Sequence, residues 1–201
     1  MQQAFEQMIK LRRSVRKFTQ EPVDLGVLAK LVDAARLCPS AGNKQPLVFV
    51  AVNDPDLADQ VFGTEKFAAY LAGKGQPGPD SKPTAHILVA QDKNLAIPET
   101  VRDVGAAVQT ILLGACAYGL GATWLRAFDR NKAGEILGLS EDQFEVDSVI
   151  ALGVPAEAPV VVPMKDGEFK YWRDESQQHF VPKRAFEKVC FLNGFNQKWP
   201  V

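Results

Sequence analysis

Residues 104–121 read VGAAVQTILLGACAYGLG, eighteen positions without a charged side chain. A membrane span needs about 20 consecutive apolar residues. Gln109 and Thr110 interrupt this run, Gly and Ala fill much of it, and it stands alone in the chain. A buried helix of a soluble protein is the better reading. Pro98 suits the opening of that helix and Gly119-Leu120-Gly121 its end. Gly105, Ala106, Ala107, Gly114, Ala115 and Ala117 leave little bulk, so another helix can approach closely. Apolar residues on every face need cover on every face, and a second copy of the chain in a symmetric dimer supplies it.

The flanks of this helix set the fold class. Ala122 to Leu125, Leu47 to Val52, His86 to Ala90 and Asp147 to Val154 are short apolar runs, suited to strands covered on both sides. Ala4 to Leu11 and Leu25 to Leu37 carry apolar residues at helical spacing; Asp24 is a plausible N-cap for the second, and Pro39 stops it. Asn131 to Leu137 reads as a short helix, Ser140 with Gln143 as a capping box for another turn, and Arg184 to Leu192 as a final helix. Phe62 to Pro83 is rich in Gly and Pro and predicts a mobile loop after one short helix, and Pro155 to Pro163 is proline-rich. Without repeats or a linker, helices and strands alternate within one α+β domain over residues 1–201.

Composition excludes several functions. With 46% hydrophobic and 23% charged residues the chain has globular proportions. Its 23 Lys and Arg against 24 Asp and Glu give a net charge of −1, which excludes a nucleic-acid binder held by its overall field but leaves room for a local anion pocket. Two His and three Cys leave little material for a metal. Cys38, Cys116 and Cys190 are far apart and unpaired in number, which fits a reduced compartment such as the cytoplasm and small apolar roles. The N-terminal segment is amphipathic and has no signal-peptide apolar stretch.

Four segments could carry chemistry. Arg12, Arg13, Ser14 and Arg16 put guanidiniums beside a hydroxyl, a set that binds phosphate or, equally, a solvated helix end favoured by the helix dipole. Pro39 to Pro46 (PSAGNKQP) can aim amides and hydroxyls at a ligand, and is also ordinary turn composition. Pro182-Lys183-Arg184 precedes the expected last helix. Gly119 to Trp124 lacks the third glycine and the strand-to-helix order of a dinucleotide fingerprint. No nucleophile or triad stands out, which suits a protein whose cofactor carries the chemistry.

Taken in order, these segments resemble the FMN-dependent nitroreductase family. The resemblance rests on Arg12 to Phe18, on Pro39 to Pro46, on Asp103 to Gly121 as the central dimer helix, on Trp124 to Asp129 as the flavin-edge strand and loop, and on Pro182 to Glu187 as the closing basic motif. It implies a homodimeric sandwich of a central mixed sheet flanked by helices, with two FMN molecules at the interface. By that resemblance Arg12, Arg13, Ser14 and Arg16 hold the phosphate and pyrimidine ends of FMN. Lys183 and Arg184 complete the phosphate pocket, Ser40, Asn43 and Gln45 line the flavin, and the backbone of Leu125, Arg126 and Ala127 lies beside it with an N–H near N5. The implied activity is an NAD(P)H-dependent oxidoreductase that passes hydride through N5, in ping-pong fashion, to a nitroaromatic, quinone or similar small acceptor. A non-catalytic flavin- or partner-binding dimer and a specialised flavin enzyme such as a dehalogenase are the alternatives. Leu47 stands where the second motif usually has Trp, and Arg126 where a smaller or acidic residue is expected. Phe67 and Tyr70 are candidates for substrate-pocket walls or for plain helix packing.

Overall fold

The computed structural model describes residues 1–71, 75–195 and 197–200. Helices α1 (Gln2–Leu11) and α2 (Leu25–Arg36) precede strand β1 (Leu47–Val52) and helix α3 (Pro55–Phe62). Strand β2 (Ala85–Asp92), helix α4 (Thr100–Ala117), strand β3 (Gly121–Leu125), helix α5 (Arg130–Ile136) and strand β4 (Phe144–Gly153) follow. These strands form a sheet in the order β1-β2-β4-β3, antiparallel throughout. A second sheet, from β5 (Val160–Pro163), β6 (Trp172–Arg173) and β7 (His179–Lys183), has the order β5-β7-β6. Among the described residues the parallel ladder lies here, between β5 and β7, and a single parallel bridge joins Ser14 to Ala122 of β3.

The central strands are apolar on both faces because helices cover both. Ile87, Val89, Ile150 and Leu152 pack with Leu28 and Leu31 of α2 and with Val104, Val108 and Ile111 of α4. Leu88, Val149 and Ala151 point the other way, onto Val61 of α3, Ala133 of α5 and Phe67. This alternation is the period of an extended chain. Asp24 caps α2 by accepting from the Val27 N–H at 3.0 Å. Helix α4 starts at Thr100, two residues after Pro98, and Thr100 Oγ1 accepts from the Ile97 N–H.

Helix α4 buries Val104, Ala107, Val108, Ile111, Leu112 and Ala115 within its own chain. Its other face, with Val101, Gln109 and Ala117, is exposed, and α1, which has no buried residue, exposes Phe5, Ile9 and Leu11. One expectation is corrected. The expected helix Arg184 to Leu192 reduces to one tight turn, Phe186–Lys188, whose Phe186 and the following Val189 stay exposed. A short helix without a buried face has nothing to offset its nucleation. Within the expected loop, residues 72–74 lie outside the described residues. Beyond them Gln76 accepts from the Phe67 N–H, and the Ser81 carbonyl accepts from the Phe18 N–H, which tie the loop to the chain at these two points. Ser140 and Gln143 form a turn, with no helix after it.

Candidate functional site

The Arg-rich stretch divides: Arg12 and Arg13 sit at the C-terminal end of α1, and from Ser14 on the backbone is extended and bonded to the ends of β3 and β4. The Val15 N–H donates to the Ala122 carbonyl at 3.1 Å, the Thr19 N–H to Val154 at 2.8 Å, and the Ala156 N–H to Lys17 at 2.9 Å. Val15 and Phe18 seat this segment against glycines. A Cβ on Gly121 would lie 2.8 Å from Val15, and one on Gly153 would lie 2.9 Å from the Phe18 ring. Packing thus explains Gly121 of the near-fingerprint Gly119-Leu120-Gly121, and the left-handed φ of +74° just past α4 explains Gly119.

The four residues of this stretch do different things. Arg13 donates to the Ile9 and Lys10 carbonyls at 3.0 and 2.8 Å, closing the C-terminus of α1. Burial, and then the neighbouring Arg12, lower its pKa. Arg12 and Arg13, together with Glu157, line a groove of about 270 Å³ between α1, α4 and the segment after β4. Ser14 bridges Ala122. The Arg16 guanidinium lies 4.9 Å from the centre of the Tyr171 ring, its Nη1 donates to the Ser14 carbonyl, and its Nε is buried without a partner. Burial chiefly lowers its pKa.

A buried charged cluster that the sequence did not reveal surrounds Arg16. Glu157 accepts from the Arg16 backbone N–H through Oε1 and from Arg173 through Oε2. The Arg173 and Glu157 side chains are each 7% exposed. His179, the first residue of β7, lies 3.9 Å from the same carboxylate and is fully buried. Its pKa is pushed down to about 4, first by burial and then by Arg16, with Glu157 opposing. Glu157 and Arg173 are distant in sequence from Arg16 and belong to no spacing motif, so only the fold joins them.

His179 carries a pH prediction. It binds a proton near pH 6.5 when unfolded and near 4 when folded, so the unfolded state holds more protons in that window. Its contribution is complete above pH 6.5 and is lost as pH falls toward 4, to the extent of up to about 3 kcal/mol. Urea midpoints at pH 4.5 and 7 measure this. His179→Gln should flatten the difference, and an equal pH slope in wild type and variant would refute the assignment.

The second motif forms a tight loop with Gly42, Asn43 and Gln45 all at positive φ, the left-handed region disfavoured for non-glycine residues. The Gln45 N–H donates to Ser40 Oγ at 3.0 Å, and Gln45 Nε2 donates to the Asn43 carbonyl and side chain. Asp103 of α4 fixes this loop by accepting from the Ala41 N–H at 3.1 Å, while its buried Oδ2 has no partner. Ser40, Gln45 and Asp103 line a pocket of about 140 Å³. Leu47, in place of the expected Trp, begins β1 and packs against the core.

At the end of β3, Leu125 is buried whereas Arg126 and Ala127 are exposed. The Ala127 carbonyl accepts from the Lys66 N–H and the Thr64 carbonyl from the Asp129 N–H, zipping this loop to the one after α3. Lys183 ends β7, about 13 Å along the strand from His179 by extended-chain spacing. Arg184 donates to the Lys188 carbonyl at 2.8 Å. Phe67 is a core residue, 6% exposed. Tyr70 is half exposed and packs edge-on against Tyr171 at 5.2 Å. Within one chain, therefore, the groove at Arg12, the pocket at Ser40 and the loop at Arg126 line separate cavities.

The chain belongs to the nitroreductase family, whose sequence model matches residues 9–93 and 84–154. An Archaeoglobus fulgidus protein provisionally named NADH dehydrogenase/NAD(P)H nitroreductase is 34% identical over 157 residues, 75% of this chain and 84% of that protein. A Desulfovibrio desulfuricans protein of provisional nitroreductase assignment, solved in complex with FMN, superposes with a TM-score of 0.64 at 28% identity, over 81% of this chain and 92% of its own. Iodotyrosine deiodinase, solved with FMN and 3-iodo-L-tyrosine, shares the fold at 22% identity and a TM-score of 0.65, over 80% of this chain and 95% of its own. The chain is an oxidoreductase of the nitroreductase fold. No helix among the described residues is long and apolar enough to cross a membrane, and no group of His, Cys, Asp and Glu among them could hold a metal ion.

Proposed function

We propose that the protein is a cytoplasmic, homodimeric FMN-dependent oxidoreductase that takes electrons from NAD(P)H and delivers them to a small acceptor such as a nitroaromatic or quinone. One observation carries this reading: Arg12 and Arg13 line a groove of about 270 Å³ at the end of α1, next to the extended segment that carries Ser14 and Arg16. Guanidiniums at a groove match the oxygens of a phosphate. This chemistry supports an anionic, oxygen-rich cofactor such as FMN.

In this reading Arg12, Ser14 and Arg16 hold the phosphate and pyrimidine ends, with Arg13 bracing the helix that presents them. Lys183 and Arg184 complete the phosphate site. Ser40, Asn43 and Gln45 line the flavin from the other protomer, which accounts for their lying in a separate pocket of the single chain. Leu125, Arg126 and Ala127 offer backbone beside the ring. Bound FMN supplies a carrier that accepts a hydride from nicotinamide and passes it on. The dimer is supported by the bare apolar stripe of α1 and by exposed Val101, Phe195 and Trp199.

An absorption spectrum of the purified protein, before and after anaerobic NADH or NADPH, tests the activity. Flavin bands that bleach establish a flavin reductase; bands that persist leave a flavin binder with another donor; a colourless protein that takes up no FMN rejects the reading. Arg12→Ala and Lys183→Ala should each weaken FMN by ~1.5–3 kcal/mol, the range for hydrogen bonds to a charged group. Unchanged FMN affinity in both, measured by fluorescence quenching, would show the phosphate site to be elsewhere.

A further inference from the structure

The loop after β3 opens onto a cleft of about 680 Å³ lined by Lys66, Arg126, Arg130 and Lys132, with Asp129 the acid among its lining residues. That volume suits a small-molecule ligand. In a chain of net charge −1, four cations around one cleft are a local arrangement and not a consequence of overall basicity. The acid does not neutralise them: the Asp129 carboxylate accepts from the Lys132 backbone N–H at 3.0 Å as the N-cap of α5. Lys132 pairs outward with Glu135 at 2.9 Å. Lys66 and Arg130 enter no ion pair among the described residues.

Arg126 is held in position there. The Trp124 indole N–H donates to Ser148 Oγ at 2.6 Å, Ser148 Oγ donates to Asp147 Oδ1, and Asp147 Oδ2 lies 3.5 Å from Arg126 Nη2. Asp147 is 7% exposed whereas the Arg126 side chain is 54% exposed. A buried carboxylate, itself fixed by a hydrogen-bonded chain from β3 to β4, therefore anchors one edge of the guanidinium and leaves its other donors to the cleft. Guanidinium donors in a fixed fork match carboxylate, sulfonate and phosphate oxygens.

We propose that this cleft binds the anionic group of a redox substrate, with Arg126 as its specificity-determining residue and Lys66 and Arg130 as supporting cations. The inference rests on the flavin reading for the meaning of "redox substrate", because the Arg126–Ala127 backbone is the expected flavin edge. The anion is the phosphate of a nicotinamide dinucleotide or the carboxylate or sulfonate of an acceptor. Both present the same oxygens to the same donors.

The test uses the protein as purified, with its flavin content read first by absorbance. Calorimetry with 4-nitrobenzoate and with neutral nitrobenzene measures the preference for the anion whether or not FMN is present. The expected result is tighter binding of the anion, weakening as salt rises, with the preference cut about tenfold in Arg126→Gln and in Lys66→Gln, the size of one charge-assisted hydrogen bond. If the effect falls on NADH and NADPH instead, read as the rate of anaerobic flavin bleaching, the source is the dinucleotide phosphate. No preference for any of these anions, or a preference unmoved in both variants, overturns the proposal. Absence of FMN alone overturns the flavin reading and leaves the anion measurement to stand or fall separately.

Discussion

Glu157→Ala should destabilise the folded chain by about 3–5 kcal/mol, the cost of removing one partner from a buried ion pair. Glu157 is the acid that accepts from both the Arg16 backbone and the Arg173 guanidinium, and it faces His179 as well. Without it, Arg173 remains 7% exposed with its Nε already unpartnered, and Arg16 loses the acceptor of its backbone N–H. Two guanidiniums would then repel each other in a site from which water is largely excluded. Replacing the cation as well should recover part of the loss, because Glu157→Ala with Arg173→Met leaves no bare charge from that pair. Urea denaturation of the two single variants and the double variant measures the coupling. A loss under about 1 kcal/mol for Glu157→Ala would mean that the cluster is more hydrated than the burial implies. The same variant should bind FMN more weakly, since Glu157 fixes the backbone from which Arg16 projects.

The contrast between α4 and the second sheet explains what was legible. β1 was read with its observed bounds, and α2 with its cap, because a continuous apolar run or a 3.6-residue period reports burial directly. The strands β5, β6 and β7 are four, two and five residues long, and Pro163 and Pro182 interrupt the pattern that marks a strand. Their pairing joins Val160 to Phe180 across the chain, which no local signal records. The site divides in the same way. Arg12, Arg13, Ser14 and Arg16 were visible as a contiguous basic run, whereas Glu157, Arg173, His179 and Asp103 were not, because what marks them is burial and an unpaired or shared charge. Amphipathic spacing in α1 marks a helix, but its apolar residues Phe5, Ile9 and Leu11 stay exposed in the single chain, so in α1 the period alone does not report burial. Arg126 shows the limit from the other side: its residue type is plain in the sequence, whereas its anchoring by Asp147 exists only in the fold.

Phe18→Ala is the second large expected effect, about 3–5 kcal/mol for deleting a buried aromatic ring. Phe18 has no exposed surface, and its ring lies over Gly153 at the end of β4, closer than any Cβ there would permit. Its N–H bonds the Ser81 carbonyl while its neighbours Lys17 and Thr19 bond Ala156 and Val154, so the ring sits at the centre of the seam that attaches the Arg-rich segment to the sheet. Removing the ring leaves these hydrogen bonds without packing beneath them. Gly153→Ala attacks the same contact from the sheet side, placing a methyl 2.9 Å from the ring, and should cost about 1–3 kcal/mol as an overpacking change. The two changes must then compensate, because the methyl enters space that the ring has vacated. Thermal or urea unfolding of the double variant should show a loss smaller than the sum of the singles by at least about 1 kcal/mol, within the range of couplings between residues in contact. Strict additivity would show that Phe18 stabilises the segment through some other contact, and that Gly153 is a glycine for reasons unconnected with the ring.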